Sequence, residues 1–378
     1  MRVGTILNTF KIVPKIVHDI QFPKTFPKHP KVSRKIADNT LYIFGKLLSD
    51  INAGRQLSPE QLLSMFELEA QIQELRDAGA EHFELTADLI FLRPEVTEWW
   101  RQKMPYLSKL RKEENVTFSV HLPQFGGVQI NSYLPEIKQA SLDVIKRTAN
   151  FFAPLEPTGF ATHLGGERFF RYLSMHSIGP VLSQELDKMF PKSWWGKTKK
   201  QSLYQFIRLL IWWLKHHVND TVSVPAIMES LEEIEKIIPL EKICLENLEH
   251  SDFEMMADMV TKKKNVRICF DVGHLALQNG IKDAPRFIQK YNHKIGQLHL
   301  HDIAVIAATI YPNGEKELVL QDHKPLGAGL LNLKEDILLP LKKIDFRGPI
   351  IIEDYYHDPV PSVKMLKQAI EEIRNTPK

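Results

Sequence analysis

Six short apolar runs in this chain each stop at a histidine or a carboxylate, and that recurrence narrows the folds open to it. They are Val116-Thr-Phe-Ser-Val-His121, Gly159-Phe-Ala-Thr-His163, Lys242-Ile-Cys-Leu-Glu246, Val266-Arg-Ile-Cys-Phe-Asp271, Gly296-Gln-Leu-His299 and Pro349-Ile-Ile-Ile-Glu353. An apolar run ending in a polar residue suits a buried parallel strand, whose carboxyl end is where α/β proteins assemble their sites. After Asp271, Val272-Gly-His274 reads as a flexible turn that presents His274 three positions beyond the acid. In a closed sheet equivalent strand ends are neighbours, so all these side chains converge on one rim. Carboxylates gathered so closely repel one another and resist ionisation unless a cation holds them together. Imidazole and carboxylate suit Zn, Mn or Fe in the divalent state.

The remainder of the chain supplies the helices that such a sheet needs. Met1 to Asn8 reads as the first strand. Ser58-Pro-Glu-Gln starts a helix with a capping serine and a proline at its first position, and Gly79 ends it. His82-Phe-Glu-Leu-Thr-Ala reads as the second strand. A helix over 94–114 follows, with a break or kink expected at Pro105. Further helices are predicted over 134–152, 224–238, 253–262, 284–291 and 333–343, and from Pro361 onward. A long loop after the seventh strand carries Tyr311-Pro-Asn-Gly and Gln321-Asp-His-Lys-Pro-Leu-Gly-Ala-Gly329. Strand alternating with helix predicts an α/β fold, a (β/α)8 TIM barrel, as one domain over 1–378.

Two stretches exceed that plan. An amino-terminal excursion at about 10–57 is punctuated by prolines, and a helical, aromatic-rich insertion at 167–223 follows the fourth strand. Within the insertion, Leu203, Phe206, Ile207, Leu210, Ile211, Trp213 and Leu214 form a broad apolar face at helical spacing. Through 203–217 it packs on the barrel or on a partner subunit in an oligomer; a membrane surface or a bulky apolar substrate are the alternatives.

The 378 residues exceed the about 250 of a typical barrel and leave room for both additions. A net charge of +3 permits nucleic acid as a partner without arguing for it. Two cysteines, Cys244 and Cys269, exclude a disulfide scaffold and read as small buried hydrophobes in a reducing, cytoplasmic protein. Neither a signal peptide nor a transmembrane segment of roughly 18 apolar residues is visible.

These strand ends, with Leu326-Gly-Ala-Gly329 after the seventh strand, resemble those of the xylose-isomerase-like TIM barrels, which include endonuclease IV and the sugar isomerases and epimerases. The match runs in order from His121 to Glu353 and leaves out both extra stretches. The endonuclease IV pattern implies three metal positions. His121, His163 and Glu246 form the first. Glu246, Asp271, His299 and Glu353 form the second, with Glu246 bridging. His274 and His323 contribute to the third, where the family also uses an aspartate two residues before the histidine. This chain has Gln321 there and an acid at Asp322, so a third site is differently built, because adjacent residues of most backbones point apart.

The resemblance implies two or three divalent ions per chain, zinc foremost, with manganese or iron as alternatives, that activate water to hydrolyse a phosphoester. In a corrinoid-remodelling branch the bond is an amide. Glu246, Glu353 and Asp271 are the expected catalytic groups, and His301, Lys324 and Glu249 the expected substrate contacts. The isomerase branch needs only the second position, and all four of its residues are present. That branch also places a glutamate six residues after the fifth-strand acid and an arginine six after the seventh-strand histidine, where this chain has Asp252 and Val305. The DNA-gripping arginine and tyrosine of endonuclease IV have no counterparts in Asp88-Leu-Ile-Phe-Leu or Pro123-Gln-Phe-Gly-Gly, so a small or bulky molecule is expected rather than duplex DNA. The expectation is therefore a metal-dependent hydrolase; a single-metal sugar or sugar-phosphate isomerase or epimerase is the alternative, and a non-catalytic, metal-stabilised binding scaffold the third.

Overall fold

A computed structural model of the protein describes residues 1–6, 68–88, 90–91, 94–123, 128–132, 134–163, 224–248, 253–310, 316–354 and 357–375. The amino-terminal excursion and the whole 167–223 insertion, with its 203–217 face, lie outside them. The chain opens on β1 (Arg2–Ile6), α1 (Leu68–Asp77), β2 (His82–Thr86), α2 (Pro94–Glu114) and β3 (Thr117–His121). α3 (Pro135–Phe152), β4 (Phe160–His163), α4 (Val224–Glu235) and β5 (Ile243–Glu246) follow. Next come α5 (Phe253–Lys262), β6 (Arg267–Asp271), α6 (Val272–Asn279), α7 (Ala284–Lys290) and β7 (Ile295–Leu300). β8 (Asp302–Ile310), β9 (Lys316–Lys324), α8 (Leu339–Lys343), β10 (Pro349–Ile352) and α9 (Val360–Asn375) complete it.

Eight of these strands close into a parallel barrel in the order β1, β10, β7, β6, β5, β4, β3, β2. The (β/α)8 architecture of a TIM barrel is thus present, and its register sets the rim. His163 pairs with Glu246 across β4 and β5, and Asp271 with His299 across β6 and β7. The carboxyl ends are level, so the side chains that terminate these strands face the same mouth.

Three elements differ from the sequence reading. α2 continues through Pro105, which forfeits only the bond its missing N–H would make to the preceding turn. Trp99, Trp100, Met104, Leu107 and Leu110 are buried along its length and hold both halves on one core face. Val272-Gly-His274 is no flexible turn but the start of α6, which follows β6 directly. The loop after β7 is largely an antiparallel hairpin of β8 and β9. Its runs, Ile303-Ala-Val-Ile and Glu317-Leu-Val-Leu, are rich in strand formers and flank Asn313-Gly314, a hairpin turn signal.

Inside the barrel, a polar layer lies below the rim. His82 is 1% exposed, with Nδ1 2.9 Å from Thr117 Oγ1 and Nε2 2.9 Å from Ser119 Oγ. Burial pulls this imidazole from its ordinary 6.5 down to about 4, although Glu84 nearby acts to raise it.

Beyond the rim, Asp302 is fully buried and accepts four backbone N–H groups. Oδ1 takes those of Ile303 at 2.8 Å and Leu331 at 3.0 Å; Oδ2 takes those of Gly327 at 3.0 Å and Gly329 at 2.9 Å. This one side chain folds the Leu326-Gly-Ala-Gly329 loop onto the start of the hairpin. A Cβ on Gly329 would lie 2.1 Å from the Ile303 carbonyl oxygen, so only glycine lets the loop approach so closely.

Asp302→Ala leaves those backbone donors without their acceptor and is expected to lower stability by at least about 3 kcal/mol. Urea unfolding measures it, and an unchanged midpoint would contradict this account. For His82 the folded value lies below the unfolded one, so its contribution to stability is complete above pH 6.5 and is lost as pH falls through about 4. Nitrogen NMR of the ring is expected to show it neutral at pH 5, where an exposed histidine is charged.

Candidate metal centre

His299 sits at the middle of the rim. Its Nδ1 lies 3.0 Å from Glu246 Oε1 and 2.9 Å from Glu353 Oε1, and its Nε2 lies 2.9 Å from Glu84 Oε1. Glu84, Glu246, His299 and Glu353 are all at most 1% exposed. A neutral imidazole has one proton to share among these three carboxylates, so either a second proton or a cation must occupy the space between them. The pKa shifts express the same tension. Burial acts to pull His299 down, but Cys269, Glu353, Glu84 and Glu246 together lift it well above its ordinary value. Burial pushes Glu246 up, yet the imidazoles of His299, His163 and His121 hold it well below the usual carboxylate range.

Asp271 closes the set. It ends β6 and caps α6, its Oδ1 accepting the His274 N–H at 2.6 Å. Asn247, one residue past β5, fixes its backbone with a paired bond: Asn247 Nδ2 donates to the Asp271 carbonyl at 2.8 Å, and the Asp271 N–H donates to Asn247 Oδ1 at 2.9 Å. One donor atom from each of Glu246, Asp271, His299 and Glu353 lies within 4.8 Å of all the others. Ligands held about 2.0–2.2 Å from one ion stand at most roughly 4.4 Å apart. Small side-chain adjustments therefore close this set on a divalent cation, and a buried group of three acids and one imidazole has the charge to need one. The residues fit a metal.

The other implied ligands gather on either side. His121 donates from Nδ1 to the Leu122 carbonyl at 2.8 Å, which leaves Nε2 facing Glu246 Oε2, also at 2.8 Å. The bond to Glu246 lifts His121 to about 9 against the downward pull of burial. His163 Nε2 is 3.1 Å from the same oxygen. On the opposite side His274 donates from Nδ1 to the Asn247 carbonyl at 3.1 Å, and its Nε2 lies 3.8 Å from Asp322 Oδ2. His323 Nδ1 is 3.3 Å from Asp322 Oδ1, and its Nε2 is 3.5 Å from Glu353 Oε2.

Asp322 therefore does not point away from His323, as strand alternation predicts. His323 has a φ of 51°, in the left-handed region, and the alternation of β9 breaks at that residue.

His301 is held at both ring nitrogens. Its Nδ1 accepts the His323 backbone N–H at 2.8 Å, so the ring proton is on Nε2, which lies 3.2 Å from both Asp271 oxygens. The ring stacks on His323 at 4.1 Å between centroids and is fully buried. Although His274, His301 and His323 cluster closely enough for a cation, the neutral His301 ring has no lone pair left to offer one. Lys324 is half-buried and close enough to His357 to help burial depress that imidazole. Glu249 lies outside the described residues. The two cysteines are buried, with burial pushing Cys244 up to about 12, which makes them inert as nucleophiles.

Glu84 and Asn247 were not expected. Glu84 could have been found from the alternation of β2, where His82, Glu84 and Thr86 share the face opposite Phe83 and Leu85. Asn247 follows the strand-end Glu246 with no pattern to mark it.

Residues 206–376 match the family model described as Xylose isomerase-like TIM barrel. The chain is similar to the xylose isomerase-like TIM barrels. Among solved structures, a D-tagatose 3-epimerase-like protein superposes with a TM-score of 0.51 at 20% identity, over 81% of this chain and 94% of that one. L-ribulose 3-epimerase gives a TM-score of 0.51 at 14% identity, over 82% and 90%. At these identities what is shared is the fold. No curated protein matches the sequence. Among the described residues no helix is long and apolar enough to cross a membrane.

Gly273 leaves the room that His301 occupies: a Cβ there would lie 1.9 Å from His301 Cε1 and 2.3 Å from Nδ1. Gly273→Ala is expected to push the ring off Asp271 and weaken metal binding about 10–100-fold. Zinc retained per chain after dialysis, by elemental analysis, measures this; retention equal to wild type would contradict it.

Proposed function

We propose that the protein is a metal-dependent isomerase or epimerase acting on a small sugar or sugar phosphate at the Glu246, Asp271, His299 and Glu353 centre. The single observation that carries this reading is the closure of those four buried donors into one coordination-sized set. A divalent ion held by these four residues would supply Lewis-acid polarisation of a substrate carbonyl and an adjacent hydroxyl. The two barrels of like fold, a D-tagatose 3-epimerase-like protein and L-ribulose 3-epimerase, support the choice.

The chain supplies the proton chemistry with two carboxylates. Glu246 and Glu353 each turn Oε1 to His299 and Oε2 to a further histidine, His121 and His163 for the former and His323 for the latter. Moving a proton at the carbon beside a carbonyl requires a base on one face and an acid on the other. In this reading one of the pair accepts the proton and the other returns it, with the flanking imidazoles tuning both. Asp271, tied to α6 and to His301, positions the ion and stays out of the proton transfer.

Hydrolysis by two or three ions is the second reading. The flanking sets favour it: His121 and His163 beside Glu246, and His274, Asp322 and His323 beside Glu353. Metal count and chemistry separate the two. The isomerase reading expects one tightly held ion per chain and, in D2O, deuterium entering a ketose at the carbon next to the carbonyl. Glu246→Gln is expected to slow that exchange at least about 100-fold. Two or three ions per chain, with phosphodiester cleavage and no exchange, would establish hydrolysis in its place. Metal-free protein that keeps full function in Glu246→Gln would leave only the scaffold.

A further inference from the structure

We propose that Glu84 is a positioning residue of the metal centre, whose carboxylate holds the Nε2 proton of His299 and so turns the Nδ1 lone pair toward Glu246 and Glu353. The proposal rests on the metal-centre reading above. Glu84 is fully buried on β2, and its hydrogen bonds run in a single sense. Arg2 Nη1, which can only donate, gives a proton to Thr117 Oγ1 at 3.1 Å. The Thr117 hydroxyl proton is then free for His82 Nδ1 at 2.9 Å. A neutral imidazole that accepts at Nδ1 donates from Nε2, here to Ser119 Oγ at 2.9 Å. Ser119 in turn donates to Glu84 Oε2 at 2.8 Å, and Gln297 Nε2 donates to the same oxygen at 2.8 Å. Followed from either end, the protons fall the same way, and Glu84 receives donors as an ionised carboxylate does.

Among the described residues, Glu84 Oε1 is buried without a hydrogen-bond partner and lies 2.9 Å from His299 Nε2. Gln297 Nε2 also lies 3.2 Å from His299 Nε2, but its two protons have other acceptors, Glu84 Oε2 and Cys269 Sγ at 3.4 Å. A cation on Nδ1 would leave the ring proton on Nε2, and Glu84 Oε1 is the unpartnered buried acceptor within reach of it. With Nε2 so occupied, a neutral His299 presents only a lone pair at Nδ1, to a point shared with Glu246 Oε1 and Glu353 Oε1. Three electron-rich atoms facing one point repel unless a cation is there. Carboxylates that accept the distal N–H of a metal-bound histidine fix its tautomer and raise its basicity. Glu84 is placed to do this from β2, between β1 and β3, through a column of side chains that begins at Arg2.

The test titrates zinc against a competing chelator into metal-free wild type, Glu84→Ala, Glu84→Gln and Ser119→Ala, with circular dichroism confirming the fold of each. Glu84→Ala is expected to bind zinc about 10–100-fold more weakly. Glu84→Gln, whose amide oxygen can still take the Nε2 proton, is expected to recover part of the loss. Ser119→Ala, which leaves Oε1 on His299, is expected to stay within about threefold of wild type. Glu84→Ala binding as tightly as wild type overturns the proposal, as does a Ser119→Ala loss equal to that of Glu84→Ala. A wild type that binds no zinc overturns both this role and the metal-centre reading; a wild type that binds while Glu84→Ala is unaffected removes only the role of Glu84. Should the Glu84 variants not fold, nitrogen NMR of zinc-loaded wild type decides. Nε2 of His299 protonated and Nδ1 bearing the metal is the expected result, and metal on Nε2 overturns the proposal.

Discussion

Three buried carboxylates meet on the two nitrogens of one imidazole, and the rest of the rim serves to make that arrangement tolerable. Each of Glu84, Glu246 and Glu353 has left water almost completely, and an ionised carboxylate in that position is expensive unless it is paired and hydrogen-bonded. Among the described residues, the groups that hold Glu246 and Glu353 low are histidines. Imidazoles are compact, can sit at adjacent strand ends, and can exchange a proton for a metal ion without being moved. A guanidinium in the same place would satisfy the acids permanently and leave no room for a cation. The choice of histidine is what keeps the centre chargeable.

Holding such a set still is the work of partners one layer out. Asp271 is fixed by its cap on α6, by the paired bond with Asn247 and by His301. His121 is fixed by the Leu122 carbonyl, and His274 by the Asn247 carbonyl. In each case a backbone or carboxylate group settles which ring nitrogen carries the proton, so the remaining nitrogen faces the centre. Below it the barrel gives up apolar filling for the column from Arg2 to Glu84. A polar network inside a sheet is stable only when every member is satisfied, and there each hydroxyl both accepts and donates once. The column delivers a fixed negative charge to the far edge of His299 in return.

How far this could be read from the sequence depended on the range of each signal. The barrel and its rim were legible because strand, carboxyl end and ligand are contiguous: Phe270-Asp271 and Leu298-His299 announce themselves. The hairpin is hidden because Tyr311-Pro-Asn-Gly reads as part of one long loop, although strand-forming runs flank it. α6 was missed because Gly273 reads as a breaker; its actual requirement is the absence of a Cβ against His301, a contact 28 residues away in sequence. Asp302 and Asn247 act on backbone groups whose neighbourhood only the fold defines. Glu84 carried a local signal, an acid on the inward face of a strand, but its strand does not end at the acid. Attention to strand ends passed over it.

His301 gives the rim a mechanical asymmetry. Its Nδ1 is bonded to the backbone of His323 at the end of the hairpin, and its Nε2 to Asp271 at the end of β6. The same short stretch of chain is anchored a few residues later, where Asp302 gathers Gly327, Gly329 and Leu331. The hairpin therefore cannot shift at His323 without pulling on Asp271 through one rigid ring. On the other side, His163 lies 3.1 Å from Glu246 Oε2 and packs edge-on against His121 with ring centroids 5.1 Å apart. One flank of the centre, at Asp271 and His323, is thus tied to the hairpin, and its ligands are set from behind by groups outside the centre itself.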